Sequence, residues 1–447
     1  MSGRNNKRKK TRKLLTGVVI IDIIAIVAII LVYVNYIKPV NKEKTSGKDN
    51  VTTTEYISET FPELQPDDLS TDVEVDLSTD TGALVDEPVV FDQALSYAEG
   101  MLGSMSLHEK VCQMFIVTPE SATGYQVVTE AGETSKQALV DYPVCGYIYF
   151  AQNLASVEQT KNMLLNVKQY GMDSNGIPFF TGVDEEGGVV ARCADKLGTT
   201  SFNSMYYYRS EGTETAYNNA YTIASDISGL GFNLDFAPVA DTWSNSANTV
   251  IGERAYSTDY QEAAALVAAA TKGFNDGGVV SCIKHFPGHG DTMEDSHKSA
   301  AYIHKSLADL TDEDYLPFKA GIEAGTGMVM VGHLYLSDAD ITSSEDNYPA
   351  SLNYKVITGE LREKLGYDGV VITDSLAMGA ISNYYSSGEA VCLSVKAGAD
   401  IMLMPADFKS AVAALEQAVE SGEISEERID ESVRRILVLK YNSLIKE

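Results

Sequence analysis

Short apolar runs alternate with longer amphipathic stretches along most of the chain, and this rhythm sets out the fold. Runs rich in Val, Ile, Phe and Met lie at Met114–Thr118, Cys145–Phe150, Phe179–Val183, Asn233–Pro238, Val279–His285, Gly327–Gly332, Gly369–Thr373 and Asp400–Met404. Their hydrophobicity is continuous rather than alternating, which predicts strands covered on both faces. Apolar residues recur at helical spacing over Ser156–Tyr170, Glu214–Gly229, Tyr260–Asp276, Asp312–Glu323, Leu352–Leu365 and Ser386–Lys396. Two further helices are predicted at Ala406–Ser421 and Ser425–Leu444. Eight strands alternating with helices predict an α/β fold: a (β/α)8 TIM barrel with several long βα loops, one domain over residues 90–447. An open doubly wound sheet shares the rhythm, but no glycine-rich dinucleotide turn follows the first strand.

The first 89 residues do not share this pattern. Residues 1–13 hold seven basic side chains and no acid, and read as a cytoplasmic tail. Leu14–Ile37 is almost unbroken Val, Ile, Leu and Ala, long enough to cross ~30 Å of hydrocarbon as a transmembrane signal-anchor helix. The intramembrane Asp22 opposes insertion, and the surrounding aliphatics outweigh it. The basic flank should stay inside, leaving the rest of the chain extracytoplasmic. A cleaved signal peptide is the competing reading, but its small-residue cleavage site is poorly matched here. Residues 38–89 are rich in Thr, Ser, Asp and Glu, with the near-repeat Asp68-Leu69-Ser70-Thr71-Asp72 and Asp76-Leu77-Ser78-Thr79-Asp80. That composition predicts a disordered acidic linker.

Charge and cysteine content narrow the partners. The whole chain carries −29, so removing its basic head leaves −36 on the rest. A body this acidic repels nucleic acid and favours a small molecule or neutral glycan. Five scattered cysteines, with no C-x-x-C pair, give neither a disulfide framework nor a zinc site. They read as buried thiols.

In such a barrel the chemistry sits where strands end. Reading off those positions gives Asp184-Glu185-Glu186-Gly187-Gly188 with Arg192, then Asp241, Glu253-Arg254, Lys284-His285, His333 and Asp374-Ser375. The densest stretch is Lys284–His297, which holds three of the six histidines. Pro287, Gly288 and Gly290 exclude a regular helix, so it is a loop. A metal held by His285, His289, Asp291 or His297 is one reading of it. Helical H-x-x-x-H geometry does not apply, because the helix is broken. The other reading is acid–base chemistry: in Asp295-Ser296-His297, residues i and i+2 of an extended segment share a side, so the carboxylate can polarise the imidazole.

The loop, read as K-H-F-P-G-H-G-D-T-x-x-D-S-H, resembles the motif of glycoside hydrolase family 3, in its NagZ-like β-N-acetylglucosaminidase branch. Also similar are Ser106–Met114, Gly182–Gly188 with Arg192, Gly231–Asp241, Gly252–Tyr256, Met330–His333 and Gly369–Met378. The resemblance runs from about Leu102 to Tyr441. It implies a retaining, exo-acting β-N-acetylhexosaminidase that needs no cofactor and no metal, acting on a carbohydrate with terminal β-linked N-acetylglucosamine. Peptidoglycan fragments are the implied source. Asp374 is the implied nucleophile, His297 the acid–base and Asp295 its orienting partner; Asp184, Arg192, Arg254, Lys284 and His285 are implied to bind substrate. Glu185 stands where many relatives are expected to carry Gln. Many family members take their acid–base carboxylate from a second domain, whereas here the barrel is expected to supply its own. A β-glucosidase or other exo-glycosidase on the same scaffold is the nearest alternative; a metal-dependent amidohydrolase and a non-catalytic glycan-binding envelope protein are more distant ones. The oligomeric state is not legible.

Overall fold

The computed structural model describes residues 93–296, 298–337 and 347–445. The expected basic tail, the Leu14–Ile37 span and the acidic linker lie outside the described residues, as does His297. Among the described residues, no helix is long and apolar enough to cross a membrane.

The strands are β1 (Phe115–Val117), β2 (Gly146–Ile148), β3 (Phe180–Val183), β4 (Glu185–Gly187), β5 (Val190–Ala191), β6 (Leu234–Asp235), β7 (Val280–Phe286), β8 (Ala301–Ile303), β9 (Met328–Val331), β10 (Leu334–Leu336), β11 (Val370–Thr373) and β12 (Met402–Leu403). Eight form one parallel sheet in the order β11-β9-β7-β6-β3-β2-β1-β12. A parallel bridge between Ile372 and Ile401 joins the two ends, so the sheet is a nearly closed barrel. All eight apolar runs of the sequence supply one barrel strand each, some shorter than their run. Two small ribbons are additional: β4 pairs antiparallel with β5, and β8 pairs parallel with β10.

Side-chain alternation explains why the runs are apolar throughout. Ile116, Met328, Met330, Val370 and Ile372 point into the barrel, where they pack with Phe180, Phe236 and Leu403. Their neighbours Phe115, Val117, Val329, Val331 and Val371 point outward into a second apolar layer under the helices. A strand that buries both faces reads as apolar almost throughout, and its polar exceptions before the barrel mouth, Thr181 and Ser281, are small and hydrogen-bonded. The helices between strands start where the sequence provides caps. Ser156 and Gln159 form a reciprocal capping box ahead of Val157–Asn175, which ends at the left-handed Gly176.

The predicted Leu352–Leu365 helix is a wide-turn helix over Lys355–Lys364. The predicted Asp312–Glu323 helix forms over Tyr315–Glu323, and a separate short helix, Leu307–Asp312, precedes it. The last α-helix, Glu426–Lys440, sends Ile436 into the barrel's inner core. There Lys440 is fully buried, its Nζ 2.9 Å from Gln113 Oε1 and 5.1 Å from the centre of the Phe180 ring. Burial lowers the Lys440 ammonium to about 8.

Candidate active site

At the carboxyl ends of the strands a cavity of about 470 Å³ opens, lined by Asp184, Glu186, Arg192, Arg254, Lys284, His285, His289, Ser296, Asp374 and Ser375 over an apolar floor that includes Phe150, Phe236 and Met330. A larger hollow of about 710 Å³ lies at the opposite end, around Gly278, Gly327 and Gly369, where strands begin. In a barrel of this kind chemistry belongs to the first of these. Three acids (Asp184, Glu186, Asp374) face three bases (Arg192, Arg254, Lys284) in the lining. A cavity so balanced in charge suits a neutral ligand rich in hydroxyls.

Glu186 is the centre of the charged cluster. Its Oε1 accepts from Lys284 Nζ at 2.7 Å and from Arg254 Nη2 at 2.7 Å, and its Oε2 accepts from Arg254 Nε at 2.8 Å. Burial alone would raise this carboxyl, yet Arg254 and Lys284 hold it well below the usual carboxylate range. Lys284 Nζ also donates to Asp184 Oδ1 at 2.7 Å. Against the opposing effect of burial, Asp184 and Glu186 hold the ammonium above its ordinary value. An ammonium has three N–H donors and a guanidinium five. Two of the Lys284 donors are engaged here, and Arg254 Nη1 adds a bond to the Val250 carbonyl at 3.0 Å. Donors therefore remain for a ligand on both residues. Arg192 Nε is buried without a protein acceptor.

A second set of bonds shapes the histidine loop. The register of β7 against β9 shifts between Ile283 and Phe286. Such a bulge re-aims side chains at the end of a strand. The peptide bonds Ala237–Pro238, Lys284–His285 and Phe286–Pro287 are cis. Asp241, fully buried at the end of the β6 run, accepts from His285 Nδ1 at 2.7 Å and from the His289 backbone N–H at 2.6 Å. Burial opposes ionisation of Asp241, but His285 and His289 hold its carboxyl below the usual range. An ionised acceptor fixes His285 with its proton on Nδ1 and leaves Nε2 for the cavity.

His289 Nδ1 meets Thr292 Oγ1 at 2.7 Å, and its Nε2 meets Ser296 Oγ at 3.0 Å. Thr292 Oγ1 also lies 3.0 Å from the His289 carbonyl, and with its one hydrogen given to that carbonyl the ring donates from Nδ1 and accepts at Nε2. Burial lowers the His289 imidazole and favours this neutral form. Gly290 admits no side chain: a Cβ there would lie 1.7 Å from the Thr242 carbonyl oxygen.

At the end of β11, Asp374 Oδ1 accepts from the Ser375 N–H at 2.7 Å. The Ser375 carbonyl is held in turn by His333 Nε2 at 2.8 Å, while His333 Nδ1 meets Ser351 Oγ at 2.7 Å. His333 is fully buried, so it supports the Asp374 loop from below. Of the sequence-predicted site residues, the structure brings Asp184, Arg192, Arg254, Lys284, His285 and Asp374 around one cavity. Asp295 is paired with Lys298 Nζ at 3.0 Å, and the intervening Ser296 reaches the cavity wall. Among the described residues, no cluster of three His, Cys, Asp or Glu side chains could hold a metal ion.

Two residues outside the predicted set belong to the site. Glu186 was visible as the second acid of the Asp184-Glu185-Glu186 run, and Asp241 as a strand-end acid. Glu185, between Asp184 and Glu186 in sequence, has another task. It turns away from the cavity to accept the Cys193 and Ala194 backbone N–H groups at 2.6 and 2.9 Å.

Comparison with known proteins gives a consistent picture. The profile of the Glycosyl hydrolase family 3 N terminal domain matches residues 106–439. Beta-hexosaminidase A of Pseudoalteromonas piscicida is 34% identical over 319 residues, 67% of this chain and 53% of that protein. Beta-hexosaminidase LpqI of Mycobacterium tuberculosis is 31% identical over 373 residues, 81% and 90% of the respective chains. The chain thus spans about half the length of the first relative and most of the second. Among solved structures, a glycoside hydrolase family 3 beta-N-acetylglucosaminidase from Paenibacillus sp. str. FPU-7 superposes with a TM-score of 0.71 at 38% identity, covering 76% of this chain and 63% of that one. M tuberculosis LpqI superposes with a TM-score of 0.67 at 29% identity, covering 77% and 96%.

Proposed function

The chain belongs to glycosyl hydrolase family 3, and from that premise we propose that it is an exo-acting, retaining β-N-acetylhexosaminidase that removes terminal β-linked N-acetylglucosamine. The observation that carries this reading is the convergence of Asp374 with the Asp184–Lys284–Glu186–Arg254 cluster on one cavity. Similarity to proteins named beta-hexosaminidase supports the choice of sugar.

The reaction follows from the arrangement. Lys284, Asp184 and the guanidinium groups of Arg192 and Arg254 take the hydroxyl and acetamido oxygens of the terminal sugar. That sugar's anomeric carbon is then presented to the Asp374 carboxylate. Its Oδ1 is fixed by the Ser375 N–H, so the carboxylate is oriented before substrate arrives. Asp374 forms a bond to the anomeric carbon as the bond to the leaving oxygen breaks, and His297, oriented by Asp295, gives that oxygen its proton. Water then attacks the same carbon, His297 takes a proton from it, and the Asp374 ester breaks. Two displacements at one centre retain configuration. No step requires a metal or cofactor.

The full reading is a (β/α)8 barrel behind a Leu14–Ile37 membrane anchor and an acidic linker, with the barrel outside the cell and peptidoglycan fragments as substrate. The supports for its location are the apolar span and its basic flank.

The test is turnover of an aryl β-N-acetylglucosaminide set against an aryl β-glucoside. Asp374→Asn should abolish hydrolysis while leaving the fold intact. His297→Ala should slow poor leaving groups far more than activated ones, since only the former need protonation. Equal rates for wild type and His297→Ala on both classes would remove His297 from its role.

A further inference from the structure

The parallel ribbon of β8 and β10 is built as a two-faced element. Its register sets Leu334 against Ala301, Tyr335 against Tyr302 and Leu336 against Ile303. Ala301, Ile303, Leu334 and Leu336 are buried in the core beneath, so alternation places Tyr302 and Tyr335 side by side on the other face. Their ring centres are 5.3 Å apart with planes tilted by 30°. His304, next on that face, stacks on Tyr302 at 6.4 Å and 23°, and its Nδ1 meets Ser337 Oγ at 2.9 Å. Tyr335 is almost covered and hydrogen-bonded to Tyr385. Tyr302 remains 38% exposed and the nearby Tyr384 59%. Nothing in the proposed chemistry uses this aromatic face.

Its position links it to the cavity. β8 begins five residues after Ser296, which lines the cavity wall, and β10 begins one residue after His333, which holds the Ser375 carbonyl. The segment leading to Tyr384 is tied to the same rim, through Ala380 N–H to the Ser296 carbonyl at 3.2 Å and Asn383 Nδ2 to the Lys298 carbonyl at 3.3 Å. Both ribbon strands follow the carboxyl ends of barrel strands, β8 after β7 and β10 after β9, so the face lies on the side of the barrel where the cavity opens.

We propose that the Tyr302–Tyr335–His304 face, edged by Tyr384, is a leaving-group-side subsite that stacks a pyranose ring of the glycan chain beyond the bond being broken. An aromatic surface with polar rims suits the apolar C–H face of a sugar ring, while His304, Ser337 and the tyrosine hydroxyls reach its edge oxygens. The proposal rests on the glycosidase reading above, and it adds chain length as a determinant of rate.

The experiment measures kcat/KM for a β-1,4-linked N-acetylglucosamine tetrasaccharide and for methyl β-N-acetylglucosaminide, which offers no ring beyond the bond. The quantity read is the ratio of the two. Tyr302→Leu removes the aromatic surface but keeps apolar bulk, and should lower the ratio about tenfold. Tyr302→Phe should keep the wild-type ratio. Tyr384→Ala, which lies outside the ribbon, should move the ratio in the same direction as Tyr302→Leu. An unchanged ratio in Tyr302→Leu, or loss of both rates in equal proportion, overturns the subsite alone. A wild-type protein that cleaves neither compound overturns the proposed function and the subsite with it.

Discussion

Glu186→Gln isolates the electrostatic centre of the site with almost no change in shape. The side chain is completely buried, and its partners Lys284 and Arg254 are 3% and 13% exposed. With its oxygen in the Oε1 position, the amide keeps the Lys284 and Arg254 Nη2 bonds, but its NH₂ then faces the Arg254 Nε–H, donor against donor. Two buried cations also lose the anion they share, leaving Asp184 to serve Lys284 alone. Removing one partner from a buried ion network costs about 3 kcal/mol or more, which is roughly 4 °C in Tm for a body of this size. Displacing the two cations proposed to hold the sugar should cost roughly a hundredfold in kcat/KM.

The neighbouring Glu185→Gln is the control. Glu185 is equally buried, but burial raises its carboxyl and two backbone N–H groups are its acceptors' partners. A glutamine there sets its NH₂ against one of those backbone N–H groups but robs no cation of a hydrogen-bonded partner, so it should cost about 1–3 kcal/mol, with kcat/KM close to wild type. The pH dependence carries a sign. The folded Glu186 carboxyl is held below its unfolded value of about 4.3. Its contribution is therefore present above that pH and is lost as pH falls through the folded value. Urea melts between pH 3 and 7 should be flatter in Glu186→Gln than in wild type. If Glu186→Gln matches wild type in melting and turnover, or if Glu185→Gln is the worse of the two, the assignment of Glu186 as the centre is refuted.

Three further outcomes follow from the same geometry. Gly290→Ala drives a methyl group into the Thr242 carbonyl, so the histidine loop must move; activity on an aryl β-N-acetylglucosaminide should fall below a hundredth while far-UV circular dichroism stays unchanged. Lys440 titrates at about 8 in the folded chain and about 10.4 unfolded, so the unfolded state binds more protons between those values and stability should rise across that window. Denaturant melts should show the rise in wild type and lose it in Lys440→Met. His333→Ala frees the Ser375 carbonyl without touching the cavity lining, and should lower kcat more than it raises KM; an effect on KM alone would show that His333 does not position Asp374.

The barrel was legible because parallel strands bury both faces. Phe115, Ile116 and Val117 are all apolar although Ile116 faces the interior and its neighbours face the helices, and no half-exposed strand would read that way. The β8–β10 ribbon was hidden by its brevity. Three residues per strand give no period to detect, and Tyr302 and Tyr335 are 33 positions apart until the register joins them. Six site residues stood out at strand ends with their motifs. Their division of labour did not, because Glu186 meets Arg254 across 68 positions and Asp241 meets His285 across 44. Sequence shows adjacent Glu185 and Glu186 as equivalent, and only the fold turns one toward two cations and the other toward two amides.

The balance of three acids against three bases in the cavity bears on how substrate arrives. The chain as a whole carries −29, a field that repels polyanions over a distance of about 8 Å at physiological ionic strength. The cavity has no matching excess of charge, so an uncharged sugar is neither drawn in nor held off. Encounter with neutral glycan should then be set by diffusion and shape, with a rate indifferent to salt. Anionic polymers sharing the same surroundings should be turned away at low ionic strength and admitted as salt rises. The charged surface thus acts as a filter ahead of the chemistry, sorting by charge before the cavity sorts by shape.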